Sequence, residues 1–219
     1  MLLSLISWRI CSVINTEWFS IRALTLPATA IALLFAFFIV WFILRMQFSK
    51  QWAGLYGDAI FTFIIVWKFS LIVTDFRSVI EQPIALIYFN GGTIGVYLGV
   101  IAVLVQFVWK KQKIQLDEEG VTAGIWAILL TQSIYQWLVV ILNDNPVKSE
   151  VVTLMVLSIL TIFILWKKTA IKNVLLIYTV VLMIVAVFQP QGLWQTAVGV
   201  SMVLFVLGYI MIRQVGGRK

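Results

Sequence analysis

Lys68 is the only ionisable side chain well inside a long apolar run, Phe61–Val73. A charge at the centre of a membrane costs about 2.5–3.5 kcal/mol on insertion scales, so such a residue usually faces a bundle interior or a water-filled cavity. The functional interpretation is a site for an anionic headgroup, most simply a lipid phosphate. The alternative is a lysine whose apolar stem lets its ammonium reach the membrane interface.

A glycine pair follows at the predicted start of a later helix, where Asn90, Gly91 and Gly92 are consecutive. Glycines at a helix start leave backbone N–H groups bare, and these groups with the positive helix end can hold an anion. We therefore group all three residues with Lys68 as a candidate lipid-phosphate site. The alternative is packing, which the spacing favours, because small residues four apart let a neighbouring helix approach closely. That repeat consists of Gly91, Gly95 and Gly99.

Two glutamines, Gln132 and Gln136, lie four residues apart in a predicted span and so share one helix face. They could line a polar cavity opposite Lys68, to which Tyr88 and Glu150 would also contribute. The simpler alternative, which we favour, is that the glutamines form interhelical hydrogen bonds worth about 0.6 kcal/mol each. No residue stands out as catalytic, and the catalytic set stays unknown at this stage.

The composition excludes several classes of chemistry. Of 219 residues, 62% are hydrophobic and 11% are charged, which indicates an integral membrane protein because no soluble surface could be covered this way. There is no histidine and a single cysteine, Cys11. Imidazole bases, Cys-x-x-Cys sites and internal disulfides are therefore ruled out, and we expect no metal and no cofactor.

The apolar runs predict an all-α, polytopic helix bundle with seven transmembrane helices in one domain, residues 1–219. A helix needs about 20 apolar residues to cross the hydrocarbon, and somewhat fewer when its ends carry residues that reach the interface. Residues 1–22 are too short to span before the first run, and we interpret them as an outer-face interfacial segment rather than a signal peptide. The predicted spans are Leu24–Leu44, Ala59–Thr74, Ile84–Val108, Ala123–Leu142, Val151–Trp166, Val174–Phe188 and Leu193–Ile212.

The basic residues set the predicted orientation. With seven spans, eleven Lys and Arg residues fall in loops on one side and four on the other. The positive-inside rule then places the N-terminus outside and the C-terminus in the cytoplasm. The net charge of +7 is thus mostly loop charge at membrane boundaries, and it gives no reason to expect a nucleic-acid partner.

The order of these features resembles the prolipoprotein diacylglyceryl transferase family. Asp58 and the run after it are similar to the second span of that family, with Lys68 at the position of its in-membrane arginine. The stretch Pro83–Gly95, ending FNGGTIG, resembles the family's P-x-x-[IL]…H-G-G-L-I-G stretch, and Asn145–Glu150 is similar to its H-P-[ST]-Q-L-Y-E run. Phe19–Ile21 resembles the F-S-I segment before the first span.

The resemblance implies a bacterial cytoplasmic membrane protein with seven spans and an outer N-terminus. Members of the family transfer a diacylglyceryl group from phosphatidylglycerol to the lipobox cysteine of prolipoproteins. Here Asn90 stands at the family's histidine, and the G-R-x-G-N-F-x-N-x-E run is missing, with Gln132 near its arginine. In the sixth span, Leu182 and Ala186 stand where the family has Arg and Glu.

Three functions follow as expectations. The first is a divergent transferase that binds phosphatidylglycerol and acts on a prolipoprotein, with a base drawn from Asp58, Glu81, Glu150 or Tyr88 because histidine is absent. The second is a non-catalytic paralogue that binds anionic phospholipid or serves as a partner subunit for another membrane protein. The third, a small transporter, lacks the paired intramembrane charges and inverted repeat that such proteins use.

Overall fold

The computed structural model describes most of the chain as a bundle of helices. The described residues are 18–21, 24–81, 91–111, 114, 116–143, 147–167, 171–188 and 192–216. Tyr88 and Asn90, and the first 17 residues of the predicted interfacial segment, lie outside these ranges. The described parts confirm the helical fold class, with one small hairpin in front of the first helix.

The hairpin consists of β1 (Trp18–Ile21) and β2 (Leu24–Pro27), which pair antiparallel. This pairing corrects the predicted start of the first span at Leu24, because the helix begins only at Ala28. Pro27 supplies the physical reason: it lacks a backbone N–H donor, and it disfavours helical backbone at the residue before it. Leu24–Pro27 therefore forms a strand although its side chains are mostly apolar.

Nine helices follow in the described residues. Up to the middle of the chain these are α1 (Ala28–Gln47), α2 (Lys50–Phe69), α3 (Leu71–Thr74), α4 (Phe76–Glu81) and α5 (Gly92–Lys111). The second half has α6 (Glu118–Leu142), α7 (Val147–Lys167), α8 (Ile171–Phe188) and α9 (Thr196–Gly216), with a 3-10 turn at Gly192–Trp194 before α9.

Five of these helical segments are long and apolar enough to cross a membrane: α1, Lys50–Thr74, α5, α6 and α9. In α7 and α8, the residues whose side chains are described form shorter apolar stretches, Glu150–Phe163 and Asn173–Phe188. The protein is therefore a helical membrane protein by length and composition. Each predicted span overlaps a helix, although Leu24–Pro27 of the first span is a strand and most of the helices begin or end a few residues away from the predicted bounds.

Helix α6 lies at the centre of the bundle and contacts α1, α2, α7, α8 and α9. One apolar cluster joins it to α7, α8 and α9, around Ile125 and Leu157, and a second joins it to α1, around Val40. Its start is also well fixed, because the Asp117 carboxylate accepts a hydrogen bond from the Gly120 N–H at 2.6 Å. This N-cap bond satisfies a donor that would otherwise be unpaired at the helix start.

Candidate functional site

Lys68 lies in the last turn of α2, where its side chain is half-buried. The helix begins at Lys50, nine residues before the predicted span, because the polar stretch around Gly54 and Asp58 is helical rather than a loop. Lys68 is consequently not at mid-helix: it lies six residues before Thr74, the end of the apolar segment. At 1.5 Å per residue this is about 9 Å from that end.

The polypeptide next to Lys68 meets the glycine pair directly. The N–H of Gly91 donates to the carbonyl oxygen of Trp67 at 3.2 Å, so the backbones of α2 and of the segment that leads into α5 touch. Ser70, where α2 ends, donates its hydroxyl to the same carbonyl at 2.7 Å. The structure therefore brings together the Lys68 region and Gly91, which the sequence analysis grouped for a different reason.

The glycine repeat acts in packing along this whole contact. A Cβ on Gly91 would lie 1.8 Å from the Ser70 Oγ, and a Cβ on Gly95 would lie 3.1 Å from the Trp67 carbonyl oxygen. On Gly99 it would meet the Phe63 ring at 2.8 Å. Glycine is thus required where the two helices touch, as the small-residue spacing indicated.

This geometry limits the anion interpretation of the glycine pair. The Gly91 N–H is directed at a protein carbonyl, so it does not face a ligand. Gly92 has a positive φ of 55°, a left-handed conformation that favours glycine, at the first residue of α5. Among the residues of the predicted phosphate site that the structure describes, Lys68 is therefore the one whose side chain supports the functional interpretation.

A buried hydroxyl cluster joins α6, α7 and α8. Ser133 Oγ lies 3.0 Å from Thr161 Oγ1 and 2.7 Å from the Tyr178 hydroxyl, and all three side chains are buried. A separate bond links α2 to α6, where the Tyr56 hydroxyl lies 2.6 Å from Thr131 Oγ1. The sequence analysis did not identify this cluster, because its members lie on three spans with no shared motif.

Gln132 and Gln136 lie beside this cluster, with exposed fractions of 7% and 3%. Ile125, Leu129 and the two glutamines are spaced three or four residues apart, so these four side chains lie on one stripe of α6. Ile125 and Leu129 belong to the apolar cluster that includes Tyr178 of α8, so the glutamine stripe continues toward α8. The contacts of α2 with α6 lie elsewhere, as at Thr131, and the glutamines therefore lie away from the Lys68 helix.

The remaining predicted residues are less central. Glu150 lies in the first turn of α7 and is half-buried. Leu182 and Ala186 of α8, which the resemblance compares with an Arg and a Glu of the transferase family, are 2% and 1% exposed. Among the described residues there is no group of three or more Cys, Asp or Glu side chains that could hold a metal ion.

The chain was compared with protein-family models, with curated proteins and with solved structures, and none of the three comparisons found a match. The family resemblance therefore rests on the residues quoted above. The structure adds two places with polar character inside an apolar bundle: the Lys68 turn at the α2–α5 contact, and the hydroxyl and glutamine cluster on α6.

Proposed function

We propose that this chain is a seven-span bacterial cytoplasmic membrane protein that holds the headgroup of a phosphatidylglycerol-type anionic phospholipid at Lys68. In this proposal α7 and α8 span the membrane with the other five segments. The N-terminus is outside and the C-terminus is in the cytoplasm, as the distribution of basic loop residues favours.

The observation that carries the proposal is the position of Lys68. Lys68 is a half-buried cation in an otherwise apolar turn. It lies about 9 Å along the helix axis from Thr74, where the apolar segment ends. A lysine side chain at this depth can reach the level of lipid phosphates while its stem stays among apolar groups. An ammonium there would bind phosphate as a point charge with three donors.

The contact between α2 and α5 supports the same site. Trp67 is fixed by its carbonyl bonds to Gly91 and Ser70, so the backbone that carries Lys68 is held in place. A ligand-binding side chain on a fixed helix turn loses less entropy on binding than one on a mobile loop.

Two activities fit a lipid site on this scaffold. The first is transfer of a diacylglyceryl group to a prolipoprotein cysteine, and the second is lipid binding without chemistry, by a paralogue that acts with another membrane protein. The second is favoured by Leu182 and Ala186, which fill the core at the positions where the transferase family has Arg and Glu. An apolar, closed surface there offers no group to stabilise the headgroup phosphate as it leaves the diacylglyceryl group.

Lipid retention tests the binding proposal. The full chain would be purified in mild detergent from membranes that contain phosphatidylglycerol and phosphatidylcholine analogues, and co-purified lipid would be counted by mass spectrometry. We expect Lys68→Met to reduce the retained phosphatidylglycerol about tenfold, since hydrogen bonds to charged groups contribute about 1.5–3 kcal/mol. Lys68→Arg should retain the lipid.

Lys50→Met is the matched control, because Lys50 is an exposed lysine at the opposite end of the same helix. Equal retention by wild type, Lys68→Met and Lys50→Met would contradict the proposed site. Labelled phosphatidylglycerol with a lipobox peptide then separates the two activities: Lys68-dependent transfer identifies a transferase, and Lys68-dependent retention without transfer identifies the binding protein.

A reporter fused after Lys219 tests the orientation. A cytoplasmic signal is expected, and an external signal would overturn the proposed topology.

A further inference from the structure

Helix α2 is interrupted at Ser70, inside a longer apolar segment. The Ser70 N–H still donates to the Val66 carbonyl oxygen at 2.8 Å, as in a regular helix. The next bond of a regular helix would join the Leu71 N–H to the Trp67 carbonyl oxygen. That oxygen instead accepts the Ser70 hydroxyl at 2.7 Å and the Gly91 N–H at 3.2 Å. A carbonyl oxygen has two lone pairs, so these two donors occupy the acceptor that would continue the helix.

The Ser70 side chain is the local cause of this interruption. Helices break sharply at proline, at glycine or serine pairs, or where a side chain inserts into the backbone ladder. The stretch from Trp67 to Thr74 reads WKFSLIVT, without proline or glycine, and it is the Ser70 hydroxyl that takes the Trp67 carbonyl. Beyond this point the N–H groups of Val73 and Thr74 both donate to the Ser70 carbonyl at 2.9 Å, and the separate helix α3 begins.

The start of α5 accommodates the serine side chain closely. Ser70 is 4% exposed. A Cβ on Gly91 would lie 1.8 Å from the Ser70 Oγ, and a Cβ on Gly95 would lie 2.3 Å from it. The hydroxyl therefore occupies space that the two glycines leave open, and the contact with α5 holds the interruption in place.

The interruption determines which residues can cover Lys68. In a helix, side chains lean toward the preceding turn, so the residues three and four positions later lie over a given residue. For Lys68 these residues are Leu71 and Ile72. Both belong to the separate helix α3, so the covering turn does not continue α2.

We propose that Ser70 is a positioning residue for the headgroup site at Lys68. Its hydroxyl ends α2 beside Lys68 and so keeps the path from the ammonium group to the lipid phosphates open. This role rests on the proposed function, because it concerns the binding of a phosphatidylglycerol-type headgroup. Ser70 acts through Lys68, since its own hydroxyl is bonded to the Trp67 carbonyl.

Acetylation of Lys68 by a membrane-impermeant reagent measures this path. The full chain would be placed in nanodiscs of phosphatidylcholine, so that no anionic headgroup competes for the lysine. It would be treated with a sulfonated succinimidyl acetate, and the acetylation of each lysine would be followed by mass spectrometry. We expect Lys68 to react about threefold more slowly in Ser70→Ala, the change that corresponds to one intramembrane hydrogen bond. The reason is that the Leu71 N–H can then take the Trp67 carbonyl and α2 continues over Lys68. Lys50, exposed at the other end of α2, should react at the wild-type rate.

Retention of phosphatidylglycerol by the same variants connects this path to binding. We expect Ser70→Ala to retain about threefold less of the lipid than wild type, for the same hydrogen bond. Thr74→Ala is the matched control, because the Thr74 hydroxyl also bonds backwards, but to the Ser70 carbonyl at 3.2 Å, and both measurements should be unchanged. Ser70→Cys keeps a weaker donor and should fall between wild type and Ser70→Ala. It replaces Ser70→Ala if that variant does not fold.

Unchanged acetylation of Lys68 in Ser70→Ala would overturn the positioning role, as would an equal loss in Thr74→Ala. Slower acetylation with unchanged lipid retention would also overturn it, in a protein whose retention depends on Lys68. Failure of the proposed function gives a different result: Lys68→Met would then retain as much phosphatidylglycerol as wild type, whatever the acetylation rate in Ser70→Ala.

Discussion

The α2–α5 contact and the α6–α8 seam, which is the buried hydroxyl cluster of Ser133, Thr161 and Tyr178, hold helices together in opposite ways. At the first contact, α5 contributes glycines, which have no side chains, so its backbone approaches Trp67 and Ser70 of α2 closely. At the second, side chains are present and polar, and Ser133 connects α7 and α8 to α6 through two hydroxyl contacts. The candidate headgroup residue, Lys68, lies beside the first of these contacts.

The difference shows which physical quantity each contact depends on. Helices in a membrane gain little from hydrophobic burial, because lipid tails are as apolar as the helix surfaces. The α2–α5 contact therefore depends on volume, since any added atom separates the backbones. The α6–α8 seam depends on polarity, since an apolar replacement of the same shape would keep the packing and remove only hydrogen bonds.

The largest effect is expected at the volume-dependent contact. Gly95→Ala adds a Cβ 2.3 Å from Ser70 Oγ and 3.1 Å from the Trp67 carbonyl oxygen, so α2 and α5 must separate. Overpacking of this kind costs about 2 kcal/mol of unfolding free energy. Reversible unfolding of the detergent-solubilised protein by SDS measures the change.

Gly54→Ala is the control, since a Cβ there has nothing within 4 Å and the site is also within a helix. We expect it to be neutral or up to about 1 kcal/mol more stable, from helix propensity alone. If Gly95→Ala behaves as Gly54→Ala does, close packing does not limit the α2–α5 contact.

A smaller effect is expected at the polarity-dependent seam. Tyr178→Phe keeps the ring and removes one hydroxyl contact, and we expect a loss of about 0.6–1 kcal/mol, as for other intramembrane hydrogen bonds. A double-mutant cycle with Ser133→Ala should give a coupling energy of similar size. Unfolding in SDS again provides the measurement.

Thr179→Val, at the next residue of α8, is the control for the seam. Its hydroxyl bonds to the Leu175 carbonyl of its own helix at 3.0 Å, so its loss should not show coupling to Ser133. Zero coupling between Ser133 and Tyr178 would mean that their contact adds no stability. The seam would then depend on packing, as the glycine contact does, and the contrast between volume and polarity would be lost.

The smallest effect is expected at the far end of the α2–α5 pair, where Lys110 forms an ion pair with Asp58. Both side chains are partly exposed, and such pairs contribute about 0.2–1 kcal/mol. Asp58→Asn should lower stability by this amount in about 0.01 M salt and by less in about 1 M salt, because ions screen exposed charges.

The more exposed pair Arg77–Glu81, on α4, is the comparison, and its removal by Glu81→Gln should have a still smaller effect. A loss at Asp58 that does not change with salt would indicate that the carboxylate acts through packing rather than through its charge.

The sequence was informative where a single helix determines the outcome. Composition predicted a membrane protein and the apolar runs predicted helices. The spacing of Gly91, Gly95 and Gly99 predicted a packing face, which the Cβ distances confirm. Asp117 is the N-cap of α6, a position at which aspartate is strongly preferred. These features depend on local periodicity and on backbone sterics, which are readable from one segment.

Features that depend on two segments were not predictable in the same way. The start of α2 at Lys50 was missed because Gly54, Gly57 and Asp58 are uncommon in apolar spans. The first turns of α2 are nevertheless packed against α1 and α6, where Ala53 belongs to the buried cluster around Val40. The partners of Ser133 lie 28 and 45 residues away, and nothing in the spacing of Thr161 or Tyr178 indicates the pairing. Tertiary contacts of this kind require the arrangement of the helices.

The unequal helix lengths described above have a consequence for the surrounding lipid. Helix α6 has 25 residues and extends about 37 Å, whereas the uncharged run Val151–Trp166 within α7 extends only about 24 Å. The hydrocarbon of a typical bilayer is about 30 Å thick. In the seven-span arrangement, thinning of the bilayer next to α7 by about 6 Å is one way to accommodate this short run, at a cost of fractions of a kcal/mol per Å. The protein would then deform its bilayer on one side, and thin membranes or short acyl chains would accommodate it at the lowest cost.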